Sequence, residues 1–539
     1  MLWIEYYKNN ELIKLDGESS DFSLIDESTE NRVIIKIKAK EKITLKLAKT
    51  LITDKVNHNS LFFFNGYQSW TDTKENRYND TFRDVTHIPK FLNKMFSFDR
   101  YGDALIHKYN KYSLHGYDIF YIKDGNEIFS FNYNYHNAYL IYELDKTTDR
   151  IYAISDIDGV ILDNDQEFTI YDYSLYHNYK EGLKQLYIDY PEINNKQIFG
   201  YTSWYNYYQN INEEIILRDL NALDKRFNLF QIDDGYQMFV GDWLDINKDK
   251  FPNGLEGIVN KIHEKGYLAG IWLAPFVAEE KSKLFLEHPD YFKKIDGKPV
   301  KCGANWSGFY ALDILNKDVQ EYIKKVLNHF IDLGFDFFKL DFLYAVSLPK
   351  YEGYTRTMIA EIGYNLLSEV LKDKLILGCG AIISNSIKKF DYLRIGPDLS
   401  LKFDDVWYMR HMHRERISTK VTLQNTIYRS IFNNHFFGND PDVFLLRSEN
   451  SKLTSKQKKA ILLLNSLFGR VLMTSDNLDT YSDDAKKDLG RAFEIFFDAK
   501  DLTFERVGNE IKIDYIVNGR IGKYIYNPNE GVLKYVGQK

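Results

Sequence analysis

The sequence predicts a multidomain chain with an N-terminal antiparallel β-sandwich, a central (β/α)8 TIM barrel and a small C-terminal all-β domain. Three observations predict it. The first third holds short alternating strands without long helices, the middle repeats strand then helix, and short strands return at the end. The expected boundaries are 1–190, 191–490 and 491–539. At 539 residues the chain is too long for one ordinary domain.

In the first region, Val33–Lys40 and Ile43–Leu47 alternate apolar and polar residues, the period of a half-buried strand. Similar runs recur at Ile128–Tyr133 and Gly159–Leu162, with turn signals at Asp124-Gly125-Asn126 and Asp158-Gly159. Many short strands bounded by turns argue for an antiparallel sandwich. Tyr171 to Tyr187 reads as an exit segment and helix.

In the middle region, candidate strands are Phe199–Ser203, Leu229–Asp233, Tyr267–Ala274, Phe335–Leu340, Leu375–Cys379, Tyr392–Ile395 and Val471–Thr474. One more strand is placed near Ile431–Phe437. Helical patterns lie between them at Glu213–Leu223, Leu255–Lys265, Val319–Leu333 and Met358–Leu371, with a late helix at Gln457–Phe468. Such alternation implies a parallel sheet, and the count suits a closed barrel of eight strands. Near the C-terminus, Glu510–Tyr515 and Gly522–Tyr526 read as strands again.

Composition narrows the function classes. A net charge of −7 gives no attraction to nucleic acid or to an anionic membrane. Two cysteines, Cys302 and Cys379, make no disulfide framework. Met1–Lys8 lacks a basic segment followed by an apolar one, and no apolar stretch approaches the roughly 18 residues of a membrane span. A cytoplasmic location is expected. Aromatic residues make up 16% of the chain, which reflects compositional bias as well as any stacking of sugar rings. His411-Met412-His413, followed by Arg414 and Arg416, lacks the helix-face spacing of a zinc site. No HExxH, Walker A, GxGxxG or GxSxG pattern occurs. Neither a metal nor a cofactor is expected.

The chemistry concentrates at strand ends. Asp341 closes the run Phe335–Leu340, and Asp398 closes Tyr392–Pro397. A barrel assembles its site at the C-terminal ends of its strands, and two carboxylates in one cleft can break a glycosidic bond. Lys339 and Asp341 stand two apart and share a face. That cation would keep the acid ionised, as a nucleophile requires, although a structural ion pair explains the spacing equally well. Asp398 follows Gly396-Pro397, a sequence that also suits a plain turn, and a general acid there needs a raised pKa. Asp233-Asp234-Gly235 ends a third strand. The pair could be a turn, or two acceptors awaiting hydroxyl donors. Trp272, near the end of another strand, could be core or the apolar wall under a pyranose.

Six motifs in order extend this pattern. They are Asn65-Gly66-Tyr67-Gln68-Ser69-Trp70, Phe230–Gln237, Gly270–Pro275, Phe338–Asp341, Arg394–Asp398 and Asn439-Asp440-Pro441-Asp442. Together they resemble glycoside hydrolase family 36, the microbial α-galactosidases. The resemblance implies a retaining α-galactosidase in which Asp341 is the nucleophile and Asp398 the acid/base. It implies that Asp233 and Asp234 bind the O4 and O6 side of galactose and that Lys339 reaches O3 and O4. Arg394 and Cys379 would lie near O2, while Trp272 and Trp70 would shape the floor and rim. The partner expected is an α-galactoside oligosaccharide, with no nucleic acid and no membrane; a homo-oligomer stays open. The same family includes α-N-acetylgalactosaminidases and galactosyl-transferring enzymes, which remain alternatives. A sugar-binding barrel without chemistry would have been free to lose either acid, and both are present.

Overall fold

The alternating strands of the first region pair antiparallel in a computed structural model that describes residues 2–83, 85, 88–404 and 413–537. One sheet joins Glu11–Asp16, Leu2–Lys8, Ile43–Thr53, Arg150–Asp156, Tyr139–Asp145 and Ser113–Tyr117, with Ile161–Leu162 added on Ile43–Thr53. Two smaller sheets, of four and three strands, complete the region. Ile4, Tyr6, Phe22, Ile37, Leu45, Phe62, Phe64, Phe120 and Tyr142 bury their side chains in one apolar cluster shared by the sheets. Alternation in the sequence is therefore alternation between this cluster and the opposite faces.

The middle region forms a parallel sheet. Its strands are β1 (Ile198–Thr202), β2 (Leu229–Ile232), β3 (Leu268–Leu273), β4 (Phe337–Leu340), β5 (Leu375–Gly378) and β6 (Tyr392–Arg394). They continue with β7, in two pieces (Gly438–Asp440 and Val443–Phe444), and β8 (Val471–Thr474). The first piece of β7 pairs with β6 and the second with β8, which in turn pairs with β1. The two edges of the sheet are thus successive pieces of one stretch of chain, and the sheet curls round on itself.

The expected strand near Ile431–Phe437 is corrected. Arg429–Phe432 is a short 3-10 helix and Asn434 has a positive φ of 63°, so the strand begins later, at Gly438. Its two pieces, three and two residues long and broken at Pro441-Asp442, were too short to stand out as a run.

Helices cover the curled sheet with the apolar faces their periodicity predicts. In Lys317–Asp332, Val319, Ile323, Val326, Leu327 and Phe330 are buried on one side. Asn212, Asn316, Thr355, Ser418, Thr454 and Ser482 each accept a backbone N–H as N-caps. Between β3 and β4 the chain makes a small antiparallel excursion of Val277–Glu279, Lys301–Gly303 and Phe309–Ala311. No periodic pattern in these residues marks it. The last region is a four-stranded antiparallel meander, Lys500–Val507, Glu510–Val517, Arg520–Asn527 and Val532–Tyr535. Among the described residues, no helix is long and apolar enough to cross a membrane.

Candidate active site

The strands end in acids at one mouth of the curled sheet, and a cavity of about 310 Å³ opens there. Asp233, Asp234, Trp272, Lys339, Asp341, Asp398 and Trp70 all line it. Seven residues spread over more than 300 positions therefore meet in one cleft. Arg394 and Cys379 do not line it. They lie behind the wall, 2% and 1% exposed, so the expected contact of these two with a sugar O2 is not direct.

Asp233 forms a buried ionic pair with Lys339. Its Oδ2 accepts from Lys339 Nζ (2.9 Å), Gln231 Nε2 (2.7 Å) and Thr202 Oγ1 (3.2 Å), and its Oδ1 accepts the Asp234 amide (2.9 Å). Gln231 and Asp233 stand two apart and so reach the same side of the sheet. Burial opposes the charge of Lys339, but the carboxylates of Asp233 and Asp341 outweigh it, and its pKa lies above the ordinary lysine range.

Asp234 accepts from Gln209 Nε2 (2.9 Å), Trp306 Nε1 (2.9 Å) and Gln237 Nε2 (2.6 Å). Burial nevertheless pushes its pKa up to about 6, with Asp233 adding to the rise. The turn after it requires glycine. Gly235 has a φ of 123°, and a Cβ there would meet the Gln209 carbonyl oxygen at 2.6 Å.

Asp341 sits where β4 ends. Its own amide still donates to Leu273 O (2.8 Å), and the chain then turns through Phe342 in a left-handed conformation, φ 53°. A bulky residue held there marks a position over-determined by its surroundings. Oδ2 accepts from Trp272 Nε1 (3.0 Å) and Oδ1 accepts the Phe342 amide (2.8 Å). Trp272 and Lys339 are register partners across β3 and β4, which puts the indole beside the carboxylate.

Asp398 is held differently. It leaves β6 through Gly396-Pro397, and its Oδ1 accepts from Arg394 Nη1 at 3.2 Å. Arg394 also bonds Asp440 (2.9 Å), its register partner on β7, and Asp442 (3.0 Å). One buried guanidinium thus serves three carboxylates. Burial raises the pKa of Asp398 against the pull of Arg394 and Lys339, and the nearby Asp341 raises it further. Its side chain remains 36% exposed and lines the cavity, so a molecule bound there would bury it further.

Trp70 enters from the first region. A Cβ on Gly380, whose φ is 56°, would meet its ring at 2.8 Å, and Phe342 packs edge-on against it at 5.4 Å. Its indole N–H has no acceptor among the described residues.

Several lining residues went unread in the sequence: Trp306, Trp204, Tyr101, Phe98, Asn305 and Glu415. Trp204 stands two residues beyond the end of β1 and obeys the same strand-end logic as Trp272. Trp306 comes from the excursion after β3 and carried no signal. Among the described residues, no group of three or more His, Cys, Asp or Glu could hold a metal. His413 lines the cavity, whereas His411 and Met412 lie outside the described residues.

An acid pair in a cavity at the carboxyl ends of a parallel sheet is the geometry of the glycoside-hydrolase class. Residues 175–379 match the Melibiase family model. It is 30% identical over 135 residues to α-galactosidase AgaA of Geobacillus stearothermophilus, covering 24% of this chain and 18% of that one. It is 34% identical over 132 residues to an A type blood α-D-galactosamine galactosaminidase of Flavonifractor plautii, covering 22% and 12%. The sequence matches thus span less than a fifth of these relatives. In structure, it is similar to the α-galactosidase TtGalA of Thermus thermophilus, solved with p-nitrophenyl α-D-galactopyranoside. The TM-score is 0.72 at 22% identity, over 96% of this chain and 98% of that one. At that identity the likeness is one of fold.

Proposed function

We propose that this chain is a retaining α-galactosidase that hydrolyses terminal α-galactosyl residues from oligosaccharides, with the curled sheet as its (β/α)8 barrel. One observation carries it: Asp341 and Asp398 face a single cavity whose other polar walls include Asp233, Asp234 and Lys339. We divide the chain at 1–190, 191–490 and 491–539.

Asp341, oriented by two N–H donors, attacks the anomeric carbon. Asp398, whose pKa is raised, gives its proton to the departing oxygen. The covalent galactosyl-enzyme is then opened by water as Asp398 takes a proton back. Asp233, Asp234 and Lys339 bind the hydroxyls on the O3, O4 and O6 side. A sugar inverted at O4 would leave buried acceptors unpaired, which discriminates strongly. Trp272 and Trp70 supply apolar walls. Arg394 and Cys379 act from behind, Arg394 by holding Asp398, Asp440 and Asp442 together.

Hydrolysis of p-nitrophenyl α-galactoside should far exceed that of the α-glucoside; equal or reversed preference would sink the galactose assignment. The galactosaminidase match favours one second reading, α-N-acetylgalactosaminidase action. Faster turnover of the N-acetyl substrate in the same assay would establish it instead. We place the protein in the cytoplasm and leave its oligomeric state to solution measurement.

A further inference from the structure

One helix grips both sides of the cavity from behind. Thr419–Tyr428 is followed by Arg429, and Thr422, Asn425 and Arg429 fall on a single face at i, i+3 and i+7. Thr422 Oγ1 donates to Pro397 O at 2.7 Å. Asn425 Nδ2 donates to Ile395 O (3.0 Å) and Thr71 O (3.0 Å), while its Oδ1 accepts the Thr73 amide (2.8 Å). Arg429 Nη1 donates to Ile395 O (2.8 Å) and Ser69 O (2.5 Å), Nη2 to Gln68 O (3.1 Å), and Nε to Asn65 Oδ1 (3.2 Å).

Two features set Arg429 apart. Its side chain is 0% exposed, yet among the described residues all its hydrogen-bond partners are oxygens of neutral groups. Burial, and then Arg414, push its pKa down to about 9, so it is still charged at neutral pH. A buried cation without a bonded acid is costly, and it is retained where it fixes a geometry that weaker donors could not. The oxygens it gathers belong to the segment that delivers Trp70 and to the strand end three residues before Asp398. Ile395 O receives both Asn425 and Arg429, so the two segments share an anchor point.

We propose that Arg429, seconded by Asn425, is a positioning residue that sets Trp70 against Asp398 across the cavity. The kinetic half of its test rests on the α-galactosidase assignment. Arg429→Lys keeps the charge, but a compact ammonium cannot span four oxygens as the planar fork does. It should raise KM for p-nitrophenyl α-galactoside about tenfold while changing kcat less than about threefold, as loss of uniform binding does. Trp70→Ala should do the same, and the double variant should be no worse than Trp70→Ala, because a residue that acts through Trp70 has nothing left to position once that ring is gone. Effects that multiply in the double variant, or a KM left unchanged, would overturn the proposal.

Hydrogen exchange supplies a readout that needs no turnover. In Arg429→Lys the amides of residues 65–73 should exchange faster while those of β4 keep their protection; unchanged exchange in 65–73 would also overturn it. Should Arg429→Lys fail to fold, Asn425→Ala is read by both measurements in the same way. An unaltered chain that cleaves no α-galactoside defeats the functional assignment, and the exchange result then decides the positioning role alone.

Discussion

The two carboxylates at the centre of the cavity are held in opposite ways. Asp341 ends a strand, with an N–H donor on each oxygen and its backbone still paired to the neighbouring strand. Asp398 rides on a turn, tied through one oxygen to a guanidinium shared with two other acids, and keeps a third of its surface open. A nucleophile must be charged and aimed, which donors on a rigid strand provide. A proton donor must be reluctant to ionise, which burial beside another carboxylate, with only a shared guanidinium as donor, provides. The same residue type thus takes two roles through its support.

The sharpest way to break this contrast is to neutralise each acid in turn. Asp341→Asn should remove hydrolysis of every α-galactoside, by about 10⁴-fold or more. Asp398→Asn should lower raffinose turnover by about 10²–10⁴-fold, yet affect the nitrophenyl substrate far less, since that leaving group departs without a proton. Equal losses on both substrates would remove the acid role from Asp398.

A smaller effect tests the deep side. Asp233→Asn leaves the Lys339 ammonium buried without its partner, and should lower stability by about 3–5 kcal/mol in chemical denaturation. Adding Lys339→Met should restore part of that stability and none of the activity. A stable single variant would mean the pair is not what holds the floor.

The smallest effect is one of pH. With its pKa near 6, Asp234 is an ionised acceptor above that value and takes up a proton as pH falls through it. Hydrogen bonds to a charged acceptor exceed those to a neutral one by about 1 kcal/mol, so KM should rise severalfold on the acid side. Asp234→Asn should raise KM at all pH values and abolish that slope. A wild-type KM that is flat between pH 5 and 7 would show that Asp234 does not meet the sugar as a titrating acceptor.

Legibility in the sequence followed periodicity and strand ends. Asp233, Asp341 and Trp272 were readable because β2, β3 and β4 are apolar runs with an abrupt polar or aromatic finish. The Thr419–Tyr428 helix was not, because Val421 through Tyr428 are all buried and no polar face marks a period. β7 escaped as well, being split at Pro441-Asp442. Trp306 and Tyr101 reach the cavity from irregular segments whose spacing encodes nothing about where they fold. Arg394 was expected to touch the sugar; Asp440 and Asp442, distant in sequence, draw it back into an ionic cluster that only the curled sheet brings together.

Gly380 gives way to the ring of Trp70, a side chain that begins some 300 positions earlier. The opening third of the molecule is therefore no mere attachment to the chemistry: a fragment starting at Ile198 would fold, if at all, with one side of its cup missing. Swapping catalytic segments among relatives should succeed only when the tryptophan-bearing stretch and its glycine seat are exchanged as a matched set.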